Sequence, residues 1–175
     1  MKQLLSEAEI RTAVDRLAAD LSQFYAGRPL TIIGVLAGSM MLVADVIRRI
    51  DLPMQVGLVQ ARSYRGPATY PGQLTINADM LPEVQGRDVL LVDDIFDTGH
   101  TLSTLVERMQ ALGAQSVRCA VLLRKEGRQE VALAPDYVGF EIPDHFVVGY
   151  GLDYQDAYRH LPYIAVLEPA DLASA

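Results

Sequence analysis

The chain predicts an α/β fold with a mainly parallel central sheet flanked by helices, and three observations predict it. Short, largely apolar runs recur at residues 31–36, 89–92 and 117–123, and runs of that length without polar alternation suit strands covered on both faces. Stretches with apolar residues at helical spacing lie between them, so strands alternate with helices. Helix start and stop signals bracket those stretches.

The first helix opens at Ser6, and Glu9, three residues on, completes a capping-box pattern. Ile10, Val14, Leu17, Leu21 and Phe24 give it one apolar stripe, and Gly27 stops it. Residues 31–36 form a strand. Ala37, Gly38 and Ser39 then turn into a helix carrying Leu42, Val43, Val46, Ile47 and Ile50. Residues 55–61 read as the next strand and 62–71, with Gly66, Pro67 and Pro71, as a long loop. Residues 73–78 read as a strand. Val89, Leu90, Leu91 and Val92 make a buried strand that is expected to end at Asp93 and Asp94. A small polar turn over 97–101 leads into a helix with Leu102, Leu105, Val106, Met109 and Leu112 apolar and Gly113 as its stop. A strand over 117–123 follows, then a polar connection and short strands near 137–140, 146–148 and 163–167.

At 175 residues, one domain over 1–175 is expected, long enough for a real core. The formal net charge of −7 argues against a nucleic-acid or anionic-membrane surface, which would need a basic footprint. The single Cys119 cannot form an internal disulfide and sits in an apolar run, so it reads as a small buried hydrophobe. No signal peptide and no apolar run long enough to span a bilayer is visible, which places the expected location in the cytoplasm.

The chemistry concentrates at Val89–Thr101. Asp97, Thr98, Gly99 and Thr101 form a turn that aims backbone N–H groups and a helix N-terminus at one point, an arrangement that suits a phosphate. The carboxylates of Asp93 and Asp94, just upstream, suit sugar hydroxyls or a metal. Phosphate, polyol and metal together suggest a phosphorylated sugar. This block resembles the phosphoribosyl-diphosphate (PRPP) motif of type I phosphoribosyltransferases: a hydrophobic strand, two acidic residues, then D-T/S-G-x-T. The P-loop spacing of nucleotide triphosphatases is absent. From Val138 to Tyr154 the chain is also similar to the hypoxanthine-guanine branch of that family, whose pattern is V-G-F-x-I-P-D-x-F-V-V-G-Y-x-L/I-D-Y. The likeness runs from about Leu30 to about Leu167.

The resemblance implies the type I phosphoribosyltransferase fold, with a small hood built from chain-terminal segments, and a role for each matching residue. Asp97 corresponds to the general base near the purine N7. Asp93 and Asp94 hold the ribose hydroxyls, and Thr98, Gly99 and Thr101 the 5′-phosphate. The Ala37-Gly38 turn and Arg159 meet pyrophosphate. Lys125, expected two residues beyond a strand, donates to the exocyclic oxygen of a 6-oxopurine; Phe146 stacks on the ring, and the Val147 backbone reads the base edge. Asp153 serves the magnesium site beside the purine, with Asp93 and Asp94 as further candidate ligands. Ser63 and Tyr64 begin a loop that closes over the reacting groups. Each has a plainer reading: solvated carboxylates, a loop lysine, a core phenylalanine, a surface-helix arginine, an ordinary exposed loop.

Two positions depart from the family. Ala37 stands where many relatives have a lysine or arginine, so Arg159 and magnesium carry more of the pyrophosphate charge. His100 stands on the PRPP turn where a lysine is common in some members. The turn's backbone does the binding, so its imidazole is read as a bystander. The expected activity is purine salvage with Mg2+: transfer of phosphoribose from PRPP to hypoxanthine or guanine, by a homodimer or homotetramer. A regulatory binding protein on the same fold would lack Lys125 or Asp97 and would carry a basic face. A receiver domain would place its acidic pair after the first strand.

Overall fold

The computed structural model describes residues 1–63, 74–168 and 171. Its elements are β1 (Lys2–Leu5), α1 (Glu7–Tyr25), β2 (Leu30–Leu36), α2 (Met40–Ile47), β3 (Met54–Ser63), β4 (Leu74–Asn77), β5 (Asp88–Phe96), α3 (His100–Ala111), β6 (Ser116–Lys125), β7 (Tyr137–Ile142), β8 (Val147–Val148) and β9 (Ile164–Val166). The main sheet runs β4-β3-β2-β5-β6-β7. Only the edge strand β4 is antiparallel to its neighbour.

The period-2 alternation of the strands sorts the core into two layers. Ile32, Leu90, Val92, Ala120 and Leu122 pack with α1 and α2 on one face. Ile33, Leu91, Cys119 and Val121 pack with Leu102, Leu105 and Met109 of α3 on the other. A second sheet, β1-β9-β8, is wholly antiparallel. It is the hood, and it is built from the two ends of the chain as expected. Tyr150 Oη joins it to the body by donating to Asp45 at 2.6 Å.

The capping box forms: Glu9 N donates to Ser6 Oγ at 3.3 Å and Ser6 N donates to Glu9 Oε2 at 2.8 Å. Five details differ from expectation. Tyr25, rather than Phe24, ends the buried stripe of α1. Phe24 lies half-buried between the guanidiniums of Arg28 (4.4 Å) and Arg118 (3.9 Å), where its ring face is useful to a cation. Helix α2 stops at Ile47, and Ile50 is buried from the following loop. Strand β5 continues through the acid pair to Phe96, because β6 keeps pairing with it as far as Phe96↔Arg124. Lys125 is the last residue of β6 rather than two residues beyond it, since β7 pairs with it. Strand β1 was not foreseen: Lys-Gln-Leu-Leu carries little pattern, and its partner lies at the far end of the chain.

The register creates the crevice. Pairing of β2 with β5 ends at Gly34↔Val92, while β2 runs on with β3 and β5 runs on with β6. The sheet therefore parts beyond Val92, where α1 and α2 cover one face and α3 the other. Ligands of open α/β sheets bind at such a point.

Candidate active site

Two adjoining cavities occupy that crevice. The larger, about 590 Å³, is lined by the Leu36–Gly38 turn, Gln60 and Ala61 of β3, the acid pair, the Asp97–Gly99 turn, Thr101, Asp153, Asp156 and Arg159. The smaller, about 230 Å³, is lined by Asp94, Ile95, Asp97, Lys125, Phe146, Val147, Leu152 and Asp153. Asp94, Ile95, Asp97 and Asp153 border both, so a molecule in one would meet a molecule in the other across these residues.

The phosphate turn is built by backbone. Gly99 is the N-cap of α3 at φ +91 and offers no side-chain cap, so the first amides of the helix keep their donors for a ligand. A side chain at Gly99 would strike Phe96 and Val131 at under 3 Å. Thr101 lines the cleft, whereas His100 is turned away and bonds Glu130 at 2.9 Å. The imidazole thus takes no place in the cleft, and what His100 offers a phosphate is its backbone. On the opposite wall the Leu36–Ala37 peptide is cis. Gly38 lies against Asp94, where a Cβ would fall 1.5 Å from Oδ2.

Arg159 reaches the cleft from the hood, and it lies in a turn region rather than on a surface helix. Its Nη2 pairs with Asp153 Oδ1 at 2.7 Å and its Nη1 donates to the Gly151 carbonyl at 2.7 Å. Asp153 Oδ2 accepts from Asp156 N at 2.9 Å. Phe146 is 50% exposed and meets Tyr154 edge-on at 5.4 Å. It is therefore a free ring face beside the small cavity and not a core residue. Lys125 is nearly buried, at 12% exposure, with Nζ 3.1 Å from Asp144 and 3.5 Å from Asp97. It is not a solvated loop lysine. Val147 is buried and paired in β8. Ser63 closes β3, and Tyr64 lies outside the described residues.

A model of the phosphoribosyl transferase domain matches residues 1–155. The chain belongs to the phosphoribosyltransferase family. It is 43% identical over 169 residues to the hypoxanthine-guanine phosphoribosyltransferase of Bacillus subtilis, covering 97% of this chain and 94% of that one. It is 40% identical over 166 residues to the Staphylococcus aureus protein of the same name, covering 95% and 93%. A crystal structure of a hypoxanthine phosphoribosyltransferase from S. aureus superposes with a TM-score of 0.90 at 39% identity, covering 97% of this chain and 92% of the other. The Trypanosoma cruzi enzyme in complex with the product IMP does so at 0.88 and 37%, covering 97% and 95%.

The electrostatics of this phosphoribosyltransferase crevice centre on the acid pair. Burial pushes both carboxyls above the usual range, and for Asp93 the adjacent Asp94 charge adds to it. Asp94 N donates to Asp93 Oδ1 at 2.9 Å, and Ile95 N donates to Asp94 Oδ1 at 2.8 Å. Among the described residues no ion pair joins either carboxylate to a cation. A buried carboxylate (Asp93) beside a half-buried one (Asp94) favours a cation or hydroxyl donors as a partner. Among the described residues no three acidic, His or Cys side chains converge into a ready-made metal cage. Magnesium fits such a place, because it typically takes one or two carboxylates and fills its shell with water and phosphate oxygens.

Sequence reading missed two residues beside the site. Arg128 Nε bonds Asp97 Oδ1 at 2.9 Å, and Asp144 holds Lys125. Arg128 lies in the connection read only as polar. Asp144 was visible within the matched V-G-F motif, but nothing in the pattern tied it to Lys125.

Proposed function

We propose that this chain performs purine salvage, transferring the phosphoribosyl group of PRPP to hypoxanthine or guanine to give IMP or GMP and pyrophosphate. The observation that carries this is the pair of joined cavities: a polar one floored by a backbone phosphate turn and an acid pair, and a smaller one with a lysine and an exposed aromatic ring. PRPP takes the larger, with its 5′-phosphate on Thr98, Gly99 and Thr101, its ribose hydroxyls on Asp93 and Asp94, and its pyrophosphate toward Ala37, Gly38 and Arg159. The purine takes the smaller, stacked on Phe146 with its exocyclic oxygen on Lys125.

These residues fix the reacting atoms in line, which is the larger share of what a transfer with oxocarbenium character needs. Arg159 meets the charge of the departing pyrophosphate with a planar fork suited to phosphate oxygens. Asp97 takes the N7 proton as the ring nitrogen attacks ribose. Asp153, Asp93 and Asp94 are the residues that would hold Mg2+, which when bound supplies charge neutralisation at the polyphosphate. The chain works as one domain over 1–175, in the cytoplasm, as a homodimer or homotetramer. No helix among the described residues is long and apolar enough to cross a membrane.

The test is pyrophosphate release from PRPP and magnesium with each base. Hypoxanthine and guanine should react. Adenine presents an amino group to a nearly buried ammonium and should be poorer by about 10³-fold or more in kcat/KM. Comparable turnover of adenine would reject the Lys125 role and the purine subclass together.

A further inference from the structure

Four charges close a ring behind the small cavity. Arg128 Nε bonds Asp97 Oδ1 at 2.9 Å and lies 3.6 Å from Asp144 Oδ2. Asp144 Oδ1 lies 3.1 Å from Lys125 Nζ, which lies 3.5 Å from Asp97 Oδ2. Signs alternate around the ring and cancel. Asp97 and Lys125 line the cavity, whereas Arg128 and Asp144 do not. Each charged side chain that would touch the purine from this wall thus has an oppositely charged partner outside the cavity lining.

The partner of Asp97 is itself anchored. Arg128 belongs to the β6–β7 connection, which lies along the phosphate turn. Glu130 N donates to the Thr98 carbonyl at 3.0 Å, Glu130 pairs with His100, and Val131 lies against Gly99. The connection therefore cannot slide without moving the turn. Arg128 claims one oxygen of Asp97 by a hydrogen bond, while the contact of Oδ2 with Lys125 is longer and is the one a purine oxygen would compete for.

Resting on the proposed transferase reading, we propose that Arg128 is a positioning residue that fixes which oxygen of Asp97 acts as base. When the 6-oxopurine enters, Lys125 exchanges Asp97 Oδ2 for the purine oxygen and stays tethered by Asp144. Arg128 keeps Oδ1. Oδ2 is left with its lone pairs toward N7 and takes the N7 proton, while the electron pair of that N–H bond stays in the ring. Without Arg128 the carboxylate can rotate about its last bond, and either oxygen can turn toward Lys125 or N7. An oriented base is worth more than a free one, because misplacement by about 1 Å can cost on the order of 10²-fold.

The experiment is a kinetic double-mutant cycle with hypoxanthine and PRPP, using Arg128→Ala, Asp97→Asn and the double variant, with Arg128→Lys as the conservative control. Arg128→Ala should lower kcat about 10- to 100-fold and leave KM for PRPP within about threefold. Arg128→Lys should recover most of that loss. Asp97→Asn should lower kcat by at least about 10²-fold, and adding Arg128→Ala to it should cost less than about threefold more. Equal factors in both backgrounds would overturn the proposal. So would a rise in KM for PRPP with kcat intact, which is what mere loosening of the phosphate turn would give. Thermal melting of each variant separates unfolding from either result; should Arg128→Ala melt early, the same cycle with Arg128→Gln, which keeps most of the side chain's bulk and removes its charge, decides. A wild-type protein inactive toward hypoxanthine would instead sink the transferase reading.

Discussion

Replacing Gly151 by Ala puts a number on how tightly the hood is seated on the crevice. A Cβ at Gly151 would fall 2.0 Å from the Gly38 carbonyl oxygen and 3.2 Å from its carbon. Backbone cannot swing aside as a side chain can, so the hood and the turn must part by about 1 Å or more. Gly38 has no slack on its other side, because it already abuts the Asp94 carboxylate. Gly151 also sits at φ +101, a conformation costing a non-glycine residue about 1–3 kcal/mol, and overpacking adds about 1–3 kcal/mol. The sum, about 2–6 kcal/mol, should lower Tm by roughly 4–24 °C for a chain of this size. The same displacement opens the wall between Gly38 and Arg159 that is proposed to meet pyrophosphate, so kcat/KM for PRPP should fall on the order of 10²-fold. Gly86→Ala is the control: φ is +68 with nothing within 4 Å, so it carries only a backbone cost of about 1–2 kcal/mol. The measurements are thermal melting and steady-state kinetics on both variants. If Gly151→Ala melts with Gly86→Ala and keeps the wild-type KM for PRPP, the hood does not brace the turn and the reasoning fails.

Two further outcomes are expected. Ala37→Lys should tighten PRPP by about 1 kcal/mol, the scale of one partly exposed charge contact, and Arg159→Ala should be more damaging with Ala37 than with lysine there; strict additivity of PRPP affinities across the four proteins would show that the positions do not share the pyrophosphate. Burial pushes the Cys119 thiol from 9.0 up to about 12, with the Asp136 and Asp93 charges assisting, so between about pH 9 and 12 the unfolded chain binds fewer protons and this group's share of stability falls as pH rises. Iodoacetamide at pH 9 should therefore label Cys119 quickly in denaturant and hardly at all in the fold, and equal labelling rates would contradict its burial.

The legible parts of this fold were those whose signal is local. The α1 cap, the β5 strand with its turn, and α3 with its glycine stop each show within a window of a dozen residues: the helix partners lie three or four positions away, and an unbroken apolar run marks the strand. The convergence of Asp93, Asp94, Asp97, Thr98, Gly99 and Thr101 on one cleft was legible because one strand–turn–helix carries them all. Boundaries failed where a neighbour strand decided them. Nothing within Asp93-Asp94-Ile95-Phe96 says strand as strongly as β6 does by pairing with it, and Lys125 joins β6 because β7 lies beside it. Strand β1 failed for want of pattern, its partner strand lying about 160 positions away.

What local patterns could not show is who holds the chemical groups in place. In the proposed reading Asp97 and Lys125 carry the chemistry, and both stand in recognisable motifs. Their partners come from a connection with no periodicity and from the residue after Pro143, and charged residues in such places are usually solvated. Isolated, each pair would add little to stability. In the ring they are not isolated: Lys125 is nearly buried, and a buried ammonium with one partner removed is costly. Forming such pairs also costs desolvation that offsets their attraction, so the intact ring adds little net stability and is better understood as orientation. Its two outer members need only hold a carboxylate and an ammonium at fixed angles until a purine arrives to separate them. A residue selected for that task leaves no periodic trace in sequence, because the constraint it satisfies is an angle at another residue's side chain.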